Sequence, residues 1–337
     1  MQAMAGPGRG GAEGFFVRLY LALAEAGLAQ RALVRRGAAA ATSLRAAGIE
    51  PLELRFGGAL DLVTRWRFGR EVRGFRPDLV LTWMSRATEH CPRGKFVHAA
   101  RLGGYYPLRN YRHCDHLIGN TRGIVAWLVG QGWPAARARY LPNFVEAAPA
   151  AALPRAALQT SDTAPLLLAL GRLHRNKAFD VLLQALAQVP GAYLWLAGDG
   201  PEAARLRQLC DRLGIADRVR FLGWRGDIAA LFASADLFVC PSRLEPLGNV
   251  VIEAWAHRRP VVAAAANGPR ELIRDGETGL LVPVEDAAAL AAAINRLAAD
   301  QSLGQRLVAG GEAAYAAEFT KAKVVQAYLD FFSQAIG

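Results

Sequence analysis

The sequence predicts an α/β protein made of two doubly wound domains. Its 337 residues are more than one hydrophobic core usually serves, and 53% of them are hydrophobic, which is ample for two cores. Short apolar segments with the character of buried strands alternate with helical segments along the chain, as in parallel α/β sheets. Residues 147–165 are rich in Ala, Pro, Ser and Thr and predict a linker between the two halves.

The first half begins with a glycine-rich turn, Gly8–Glu13, which opens a helix predicted over Phe15–Ala26. A parallel α/β unit requires a strand before that turn, and only Met1–Ala5 are available. Either this strand is very short or the natural start lies upstream, and we favour the second. The other elements predicted here are strands at 31–36, 51–54, 79–83, 95–98 and 116–119, and helices at 42–47, 60–76 and 122–130. Arg101, Gly103 and Gly104, after the strand at 95–98, are predicted to form a loop.

The second half carries the most informative stretch of the chain, Arg243–Pro283. A Leu-Gly-Asn turn at 247–249 opens an apolar helix, whose first N–H groups are free to attract an anion or sugar oxygens. Glu245 precedes this helix and Glu253 lies one to two turns inside it, so both carboxylates can reach one polyol ligand. Taken alone, the two acids are explained as well by a charged helix start and one solvated glutamate.

The whole stretch resembles the nucleotide-sugar-binding segment of the retaining GT-B glycosyltransferases, specifically glycosyltransferase family 4 (glycosyl transferases group 1). The matching residues are Glu245 and Glu253 with seven residues between them, the Gly268–Glu271 element and the Asp275–Val282 hairpin. Upstream, Gly171, Arg172 and Lys177 match the family's Gly-Arg…Lys element, although Ala178 stands where glycine is usual.

The resemblance implies an α/β GT-B fold, with two Rossmann-like doubly wound domains facing across a cleft. The first domain, 1–146, would bind the acceptor, and the second, 166–318, would bind a nucleotide sugar after the 147–165 linker. The last helix, in 319–337, would cross back onto the first domain. The same resemblance implies a retaining transfer of a hexose from a nucleotide-diphosphate sugar.

The resemblance also implies roles for particular residues. Glu245 would hold a hexose hydroxyl, and His98 would stand close to the reacting sugar, although a histidine at a strand end is often structural. Arg172 and Lys177 would bind the donor diphosphate, which suits two cations five residues apart. The full set expected around the donor is Gly11, Arg172, Lys177, Leu222, Gly223, Leu247, Gly248, Asn249 and Glu253. For Gly11, a plain turn between strand and helix is an equal alternative.

Charge is concentrated in the first half. Residues 1–150 hold 21 Lys and Arg against 10 Asp and Glu, which is the whole net charge of +11. This asymmetry indicates an anionic partner such as membrane lipid, a phosphorylated acceptor or nucleic acid. Within it, the predicted helix 60–76 sets five arginines beside Trp66, Phe68 and Phe75, as interfacial helices do; the alternative is a solvated helix with its aromatics in the core.

Other features bound the function. Four scattered cysteines without a Cys-x-x-Cys pair indicate reduced thiols, and no apolar run approaches the roughly 18 residues of a membrane span. No Asp-x-Asp occurs, so we expect no obligatory metal and no cofactor. We therefore expect a cytoplasmic enzyme, peripheral on the inner membrane, that acts on a cell-envelope glycan or lipid-linked acceptor of the lipopolysaccharide type.

Two other classes stay open at this stage. A nucleotide-sugar epimerase or isomerase on a related fold would also need cleft acids and a histidine, and it would turn over without an acceptor. A non-enzymatic protein that binds an anionic polymer would explain the basic half, although no nucleic-acid motif is present. A dinucleotide enzyme is disfavoured, because no strand–Gly-x-Gly-x-x-Gly–helix unit occurs.

Overall fold

The computed structural model describes residues 1–6, 8, 10–58 and 60–337. Over these residues the chain divides into two compact units. Unit 1 comprises Met1–Asn143 with Lys321–Gly337, and unit 2 comprises Phe144–Thr320. In the described part of the chain, no helix is both long and apolar enough to cross a membrane.

Unit 1 is built on a parallel sheet. Its strands are β1 (Gln2–Met4), β2 (Ala32–Arg35), β3 (Leu52–Leu54), β4 (Leu79–Trp83), β5 (Val97–Leu102), β6 (His116–Gly119) and β7 (Ala138–Tyr140). Its helices are α1 (Gly11–Glu25), α2 (Ala39–Ala46), α3 (Leu62–Phe75), α4 (Met84–His90) and α5 (Arg122–Gly130), with α13 (Lys321–Ile336) from the end of the chain. The strand order is β3-β2-β1-β4-β5-β6-β7.

The short strand β1 lies at the centre of this sheet. It pairs in parallel with both β2 and β4, and all three of its residues are buried. Helix α1 begins at Gly11, four residues earlier than predicted. The buried Glu13 side chain packs against Gly6 and Gly10, where any Cβ would collide with it. Arg9, which belongs to the predicted glycine-rich turn, lies outside the described residues.

Strand β5 is longer at its end than predicted, and this moves Arg101 from an expected loop into the core. The Arg101 guanidinium lies over the rings of Phe15 and Trp83, at 4.8 and 4.7 Å from their centroids. It also donates to the Tyr328 hydroxyl at 2.8 Å and to the Asn143 side chain. These neutral partners replace hydration, because the rings face the cation and the two oxygens accept its hydrogen bonds. The sequence around Arg101 does not reveal these partners, because they come from other elements. This explains why Arg101 was wrongly expected in a loop.

Unit 2 is built on a second parallel sheet. Its strands are β8 (Leu166–Leu170), β9 (Tyr193–Ala197), β10 (Val219–Gly223), β11 (Leu237–Cys240), β12 (Val261–Ala264) and β13 (Leu280–Val282). Its helices are α6 (Phe179–Leu186), α7 (Ala203–Leu213), α8 (Ile228–Ser234), α9 (Asn249–Ala256), α10 (Asn267–Leu272), α11 (Ala287–Ala299) and α12 (Gln301–Glu318). The strand order is β10-β9-β8-β11-β12-β13.

Strand β8 shows why unit 2 folds in layers. Leu167 and Ala169 pack into the core on one face of the sheet, and Leu166, Leu168 and Leu170 pack into the core on the other. A strand covered on both faces needs apolar residues at every position, which LLLAL supplies. In both sheets the direction of strand addition reverses beside the first strand, between β1 and β4 and between β8 and β11. Such switch points open a crevice at the carboxyl ends of the strands.

The segment 147–165, predicted as a linker, belongs to unit 2 and packs against it. The Leu153 amide donates to the Ser234 hydroxyl at 2.8 Å, and Arg155 pairs with Asp236 at 2.7 Å. The Trp195 indole N–H donates to Thr160 Oγ1 at 2.9 Å. Polar side chains that satisfy buried groups hold this segment in place, and its composition alone does not reveal them.

Candidate functional site

Two loops meet at the switch point of unit 2. The first, Gly171–Ala178, follows β8, and the second, Pro241–Gly248, follows β11 and leads into α9. Strands β8 and β11 are hydrogen-bonded neighbours, so the loops leave the sheet side by side. Gly171 has a φ of +145°, and its backbone lies so close to Gly198 that a Cβ on Gly198 would collide with the Gly171 carbonyl. Glycine is therefore required where the first loop approaches Gly198, which follows β9.

An ion pair joins the two loops. The Lys177 ammonium donates to Glu245 Oε2, and the two side chains are only 22% and 12% exposed. The Ser242 hydroxyl donates to the same oxygen at 3.3 Å. Within the described residues, Glu245 Oε1 accepts no hydrogen bond, and the ammonium keeps two further N–H donors. The pair therefore presents one carboxylate oxygen and part of a cation to a ligand.

Electrostatics keep this lysine charged. Burial acts to lower the pKa of Lys177, but the Glu245 carboxylate outweighs burial and Glu253 adds to its effect, so the pKa lies above its ordinary value. Burial raises the pKa of the neighbouring Cys240 thiol to about 11, with a further contribution from Glu245. The site therefore holds an ammonium, a carboxylate and a neutral thiol at neutral pH.

Arg243 fixes the second loop onto the first. Its guanidinium donates to both Asp180 carboxylate oxygens, at 2.8 and 3.0 Å, and also pairs with Glu285. It donates to the Arg175 carbonyl at 2.9 Å, and its own amide donates to the Asn176 carbonyl at 2.9 Å. The position of Glu245 relative to Lys177 thus depends on a clamp two residues away.

Helix α9 begins at the site. Gly248, its N-cap, has a φ of +84°, in the left-handed region that favours glycine. The Gly268 amide donates to the Glu245 carbonyl at 2.7 Å, and a Cβ on Gly268 would collide with Leu247. The buried Leu247 and these two glycines set the helix end close to the ion pair, with its first N–H groups pointing toward the switch point.

Eight of the nine residues expected around the donor, together with Glu245, lie at the carboxyl edge of the unit 2 sheet or in the helix that starts there. Arg172 is exposed and has no side-chain partner among the described residues. Leu222 and Gly223 end β10, which lies two strands from β8 and therefore about 10 Å away. The members on the described edge are Arg172, Lys177, Leu222, Gly223, Glu245, Leu247, Gly248, Asn249 and Glu253.

The two residues predicted in the first half, Gly11 and His98, lie in unit 1. Gly11 is the exposed first residue of α1. His98 is the second residue of β5 rather than its end, and it is only 6% exposed. Its Nε2 lies 3.0 Å from Thr82 Oγ1 and 3.9 Å from Cys114 Sγ, and burial lowers its pKa to about 4. These are the contacts of a neutral core histidine, so we do not carry the catalytic expectation for His98 forward.

The hairpin at Asp275–Gly279, which helped to identify the stretch, lies away from the site. It precedes β13, so it is at the amino edge of a parallel sheet whose carboxyl edge bears the ion pair. The Trp255 indole donates to the Thr278 carbonyl at 2.8 Å, and Thr278 Oγ1 accepts from the Arg274 amide. Its role is to pack α9 and α12, and it takes no direct part in binding at the ion pair.

Several functional contacts were missed by sequence reasoning. Arg243 and Ser242 stand within the informative stretch but have no recognisable spacing to their partners. Asp180 lies 63 residues from Arg243, and nothing local to α6 marks it as the arginine's partner. Only the adjacency of β8 and β11 brings these residues together.

Comparison with known proteins agrees with this geometry. A family model described as Glycosyl transferases group 1 matches residues 164–300. The lipopolysaccharide core biosynthesis glycosyltransferase LpsE of Rhizobium meliloti is 37% identical over 327 residues, which are 96% of this chain and 96% of that protein. LpsD of the same organism is 38% identical over 330 residues, covering 97% and 96%.

Solved structures share the fold. Anabaena Alr3699/HepE in complex with UDP and glucose has a TM-score of 0.82 at 24% identity, covering 99% of this chain and 100% of that chain. The lipopolysaccharide outer core galactosyltransferase WaaB in its apo form has a TM-score of 0.77 at 17% identity, covering 99% and 100%. The two parallel sheets and these neighbours show that the chain has the GT-B α/β fold.

The chain belongs to the glycosyl transferases group 1 family, as relatives 37% and 38% identical over nearly its whole length show. It is therefore a glycosyltransferase, and the epimerase and polymer-binding alternatives are not retained. The GT-B fold expected from the sequence is confirmed.

Proposed function

We propose that the protein transfers a hexose from a nucleotide-diphosphate sugar to a cell-envelope glycan or lipid-linked acceptor of the lipopolysaccharide-core type. The two relatives that span the chain carry names of lipopolysaccharide core glycosyltransferases, which supports this acceptor class. Solved neighbours bound to UDP or UDP-glucose support a nucleotide-sugar donor. The donor sugar and the base are left open in this proposal.

The observation that carries the proposal is the Lys177–Glu245 pair at the switch point of unit 2. A nucleotide sugar presents a diphosphate beside a polyol, and this pair offers a cation beside a carboxylate oxygen that accepts nothing else in the described chain. Arg172 and Lys177 would hold the diphosphate, together with the N–H groups of Gly248 and Asn249 at the start of α9. Glu245 Oε1 would accept from a hexose hydroxyl.

The nucleoside would extend from this point along the sheet edge. Glu253, one turn into α9, would accept from the ribose, and Leu222 and Gly223 at the end of β10 would meet the base. β10 and β11 are separated by three strand spacings, so their ends lie about 14 Å apart. A ligand that uses both ends must be elongated, as a nucleotide sugar is.

The transfer itself would break the bond between the anomeric carbon and a diphosphate oxygen and form one to an acceptor hydroxyl oxygen, which releases its proton. Arg172, Lys177 and the α9 dipole would stabilise the charge that develops on the leaving diphosphate, so we propose a reaction without an obligatory metal. We propose retention of configuration from the family resemblance. Glu245 is given a holding role, because its carboxylate is already engaged by Lys177 and Ser242.

We also propose a cytoplasmic protein attached peripherally to an anionic membrane through α3. On this helix Arg65, Arg70 and Arg73 are exposed, as is Trp66 at 58%. Leu60, Leu62 and Val63 are exposed beside them, while Phe68 is buried in the core of unit 1. Cations surrounding exposed apolar side chains suit a lipid interface.

The donor assignment is tested by binding. The full chain is screened with UDP- and GDP-sugars for a rise in melting temperature, and the best nucleotide is then titrated into variants. Arg172→Ala and Lys177→Ala should each weaken binding of the nucleoside diphosphate by about 1.5–3 kcal/mol. Binding of the nucleoside without phosphate should not change. Arg212→Ala, an exposed arginine in α7, is the matched control. Equal losses for diphosphate and nucleoside would contradict the phosphate role.

Glu245→Gln separates binding from turnover. It should lower the transfer rate, because the hexose contact is weakened. Nucleoside diphosphate affinity should be kept, because Lys177 loses its ion pair to Glu245 and its ammonium stays available to the phosphate. Full activity in this variant would show that the assignment at Glu245 is wrong.

A further inference from the structure

A second cluster of cations surrounds a small cavity in unit 1. The cavity has a volume of about 190 Å³ and is lined by Arg36, Arg55 and Arg67, with Leu54, Val63 and Thr64 completing its wall. Arg36 and Arg55 directly follow β2 and β3, and Arg67 lies in the second turn of α3. The cavity therefore opens at the carboxyl edge of the unit 1 sheet, at the end of the strand order formed by β2 and β3.

None of the three arginines forms an ion pair in the described chain, although Arg36 lies close enough to Glu53 to interact with its charge. Within the described ranges Arg67 makes only a 3.5 Å hydrogen bond to the Glu53 carbonyl. The nearby acids are already engaged. The Glu53 carboxylate accepts from Arg45 at 2.6 Å and from the Gly37 amide at 2.7 Å. Asp61 accepts from the Thr64 hydroxyl at 2.6 Å and from the Gly57 amide at 2.9 Å.

Arg36 and Arg55 are exposed and Arg67 is half-buried, so an anion that enters the cavity from solvent meets three positive charges. A cavity of this size holds about six waters, which is too small for a nucleotide and sufficient for one phosphate group. A phosphate monoester offers three acceptor oxygens and close to two negative charges, and planar guanidinium groups match that geometry. A single carboxylate would leave most of the positive charge uncompensated.

We propose that Arg36, Arg55 and Arg67 form a binding pocket for a phosphate monoester group, separate from the donor diphosphate site in unit 2. The group is carried either by a lipid headgroup or by a phosphorylated sugar. The exposed apolar residues at the start of α3 border the pocket through Val63, which suits a phosphate on an amphiphilic molecule. This inference does not depend on the donor assignment.

The first test measures phosphate itself. The melting temperature of the full chain is followed in phosphate-free buffer as inorganic phosphate is added. Arg36→Gln, Arg55→Gln and Arg67→Gln should each weaken the phosphate response about tenfold. Before phosphate is added, each should be about as stable as the wild type, because none of these arginines forms an ion pair in the described chain and surface charges contribute little to stability. Lys95→Gln, which removes an exposed cation elsewhere in unit 1, should respond as the wild type does.

Two further variants separate a pocket from a basic surface and from the donor site. Arg55→Lys keeps the charge but loses the planar guanidinium with its paired N–H donors, so it should also weaken phosphate binding. Phosphate binding equal to that of the wild type would indicate a non-specific charge effect and would overturn the proposed pocket. Lys177→Ala should retain the phosphate response of unit 1. A response lost in Lys177→Ala and unchanged in the three glutamine variants would mean that the donor site binds the phosphate, and the inference would be wrong.

The source of the phosphate is decided with two probes. Vesicles containing phosphatidic acid are compared with vesicles containing phosphatidylglycerol at equal surface charge, and glucose 1-phosphate is titrated separately. Preference for phosphatidic acid that disappears in the three glutamine variants supports a lipid headgroup. Binding of glucose 1-phosphate that depends on the same arginines, without vesicle preference, supports a phosphorylated sugar. If binding to neither probe depends on these arginines, the proposal is overturned.

Discussion

Arg243→Gln tests whether the clamp between the two site loops holds the donor site together. The wild-type guanidinium makes a two-bond contact with Asp180, and the side chains of the pair are 21% and 17% exposed. It also pairs with Glu285, which is 59% exposed and so adds little. Glutamine keeps part of the side-chain volume, but it removes the positive charge and the paired N–H groups that bind both Asp180 oxygens.

The size of the effect follows from these contacts. Hydrogen bonds between charged groups contribute about 1.5–3 kcal/mol, and breaking a fully buried pair costs about 3–5 kcal/mol. Since the Asp180 pair is partly exposed and Arg205 remains 3.6 Å from Asp180, we expect a loss of about 2–3 kcal/mol. For a unit of this size, that lowers the melting temperature by roughly 4–12 °C.

The assay is thermal and urea unfolding of the full chain, with nucleoside diphosphate titrated in parallel. Arg205→Gln is the matched control, because it removes the exposed partner of the same carboxylate and should change stability by at most about 0.5 kcal/mol. Diphosphate affinity should fall in Arg243→Gln because Lys177 and Glu245 lose their relative position. A variant no less stable than the control, with unchanged affinity, would refute the clamp.

The same pair predicts how stability depends on pH. Burial acts to raise the pKa of Asp180, but the hydrogen bonds from Arg243 outweigh it, so the pKa lies below its ordinary 3.8. A carboxyl whose folded-state pKa is depressed contributes stability above its unfolded pKa and loses it as pH falls through the folded one. Wild type should therefore lose its advantage over Arg243→Gln below about pH 4, measured by urea midpoints across that range.

Three further outcomes are expected. Glu253→Gln should weaken a nucleoside diphosphate more than its 2′,3′-dideoxy analogue, compared by calorimetry; equal losses would remove the ribose role. Activity should survive excess EDTA, because cations and backbone N–H groups face the leaving diphosphate; loss restored by Mg²⁺ or Mn²⁺ would contradict this. Co-sedimentation with vesicles should need anionic lipid, weaken with salt, and drop when Arg65, Arg70 and Arg73 are changed to Gln; binding indifferent to lipid charge would leave α3 a structural role.

The sequence predicts the framework of this protein well where the signal is local. Runs such as LLLAL in β8 are apolar at every position because both faces of the sheet are covered, so their strand identity is readable from the chain. The left-handed Gly248 and the apolar α9 that follows it are likewise local features. The GT-B class came from resemblance over the second half, and the wider comparisons support it along the whole chain.

Most of the errors and omissions come from dependence on partners distant in sequence, and one comes from a strand end that was placed too early. Arg101 looked like a loop residue because its two rings and its hydroxyl acceptor come from separate elements. His98 looked like the end of a strand because the following Ala-Ala-Arg-Leu was not recognised as a continuation of β5. Arg243 was passed over because Asp180 becomes its neighbour only once β8 and β11 pair.

The position of Lys177 links the two halves of the proposed donor. One of its three N–H donors goes to Glu245 Oε2, so a bound diphosphate would share the ammonium with that carboxylate. One cation, Lys177, would then position both the phosphate and the Glu245 oxygen that holds the hexose. Arg243 fixes the loop that carries Glu245. An error in phosphate placement would therefore displace Glu245 as well. Arg172, which has no side-chain partner in the described chain, would add charge without this coupling. Loss of Lys177 should thus impair turnover beyond its effect on binding, whereas loss of Arg172 should act mainly on affinity.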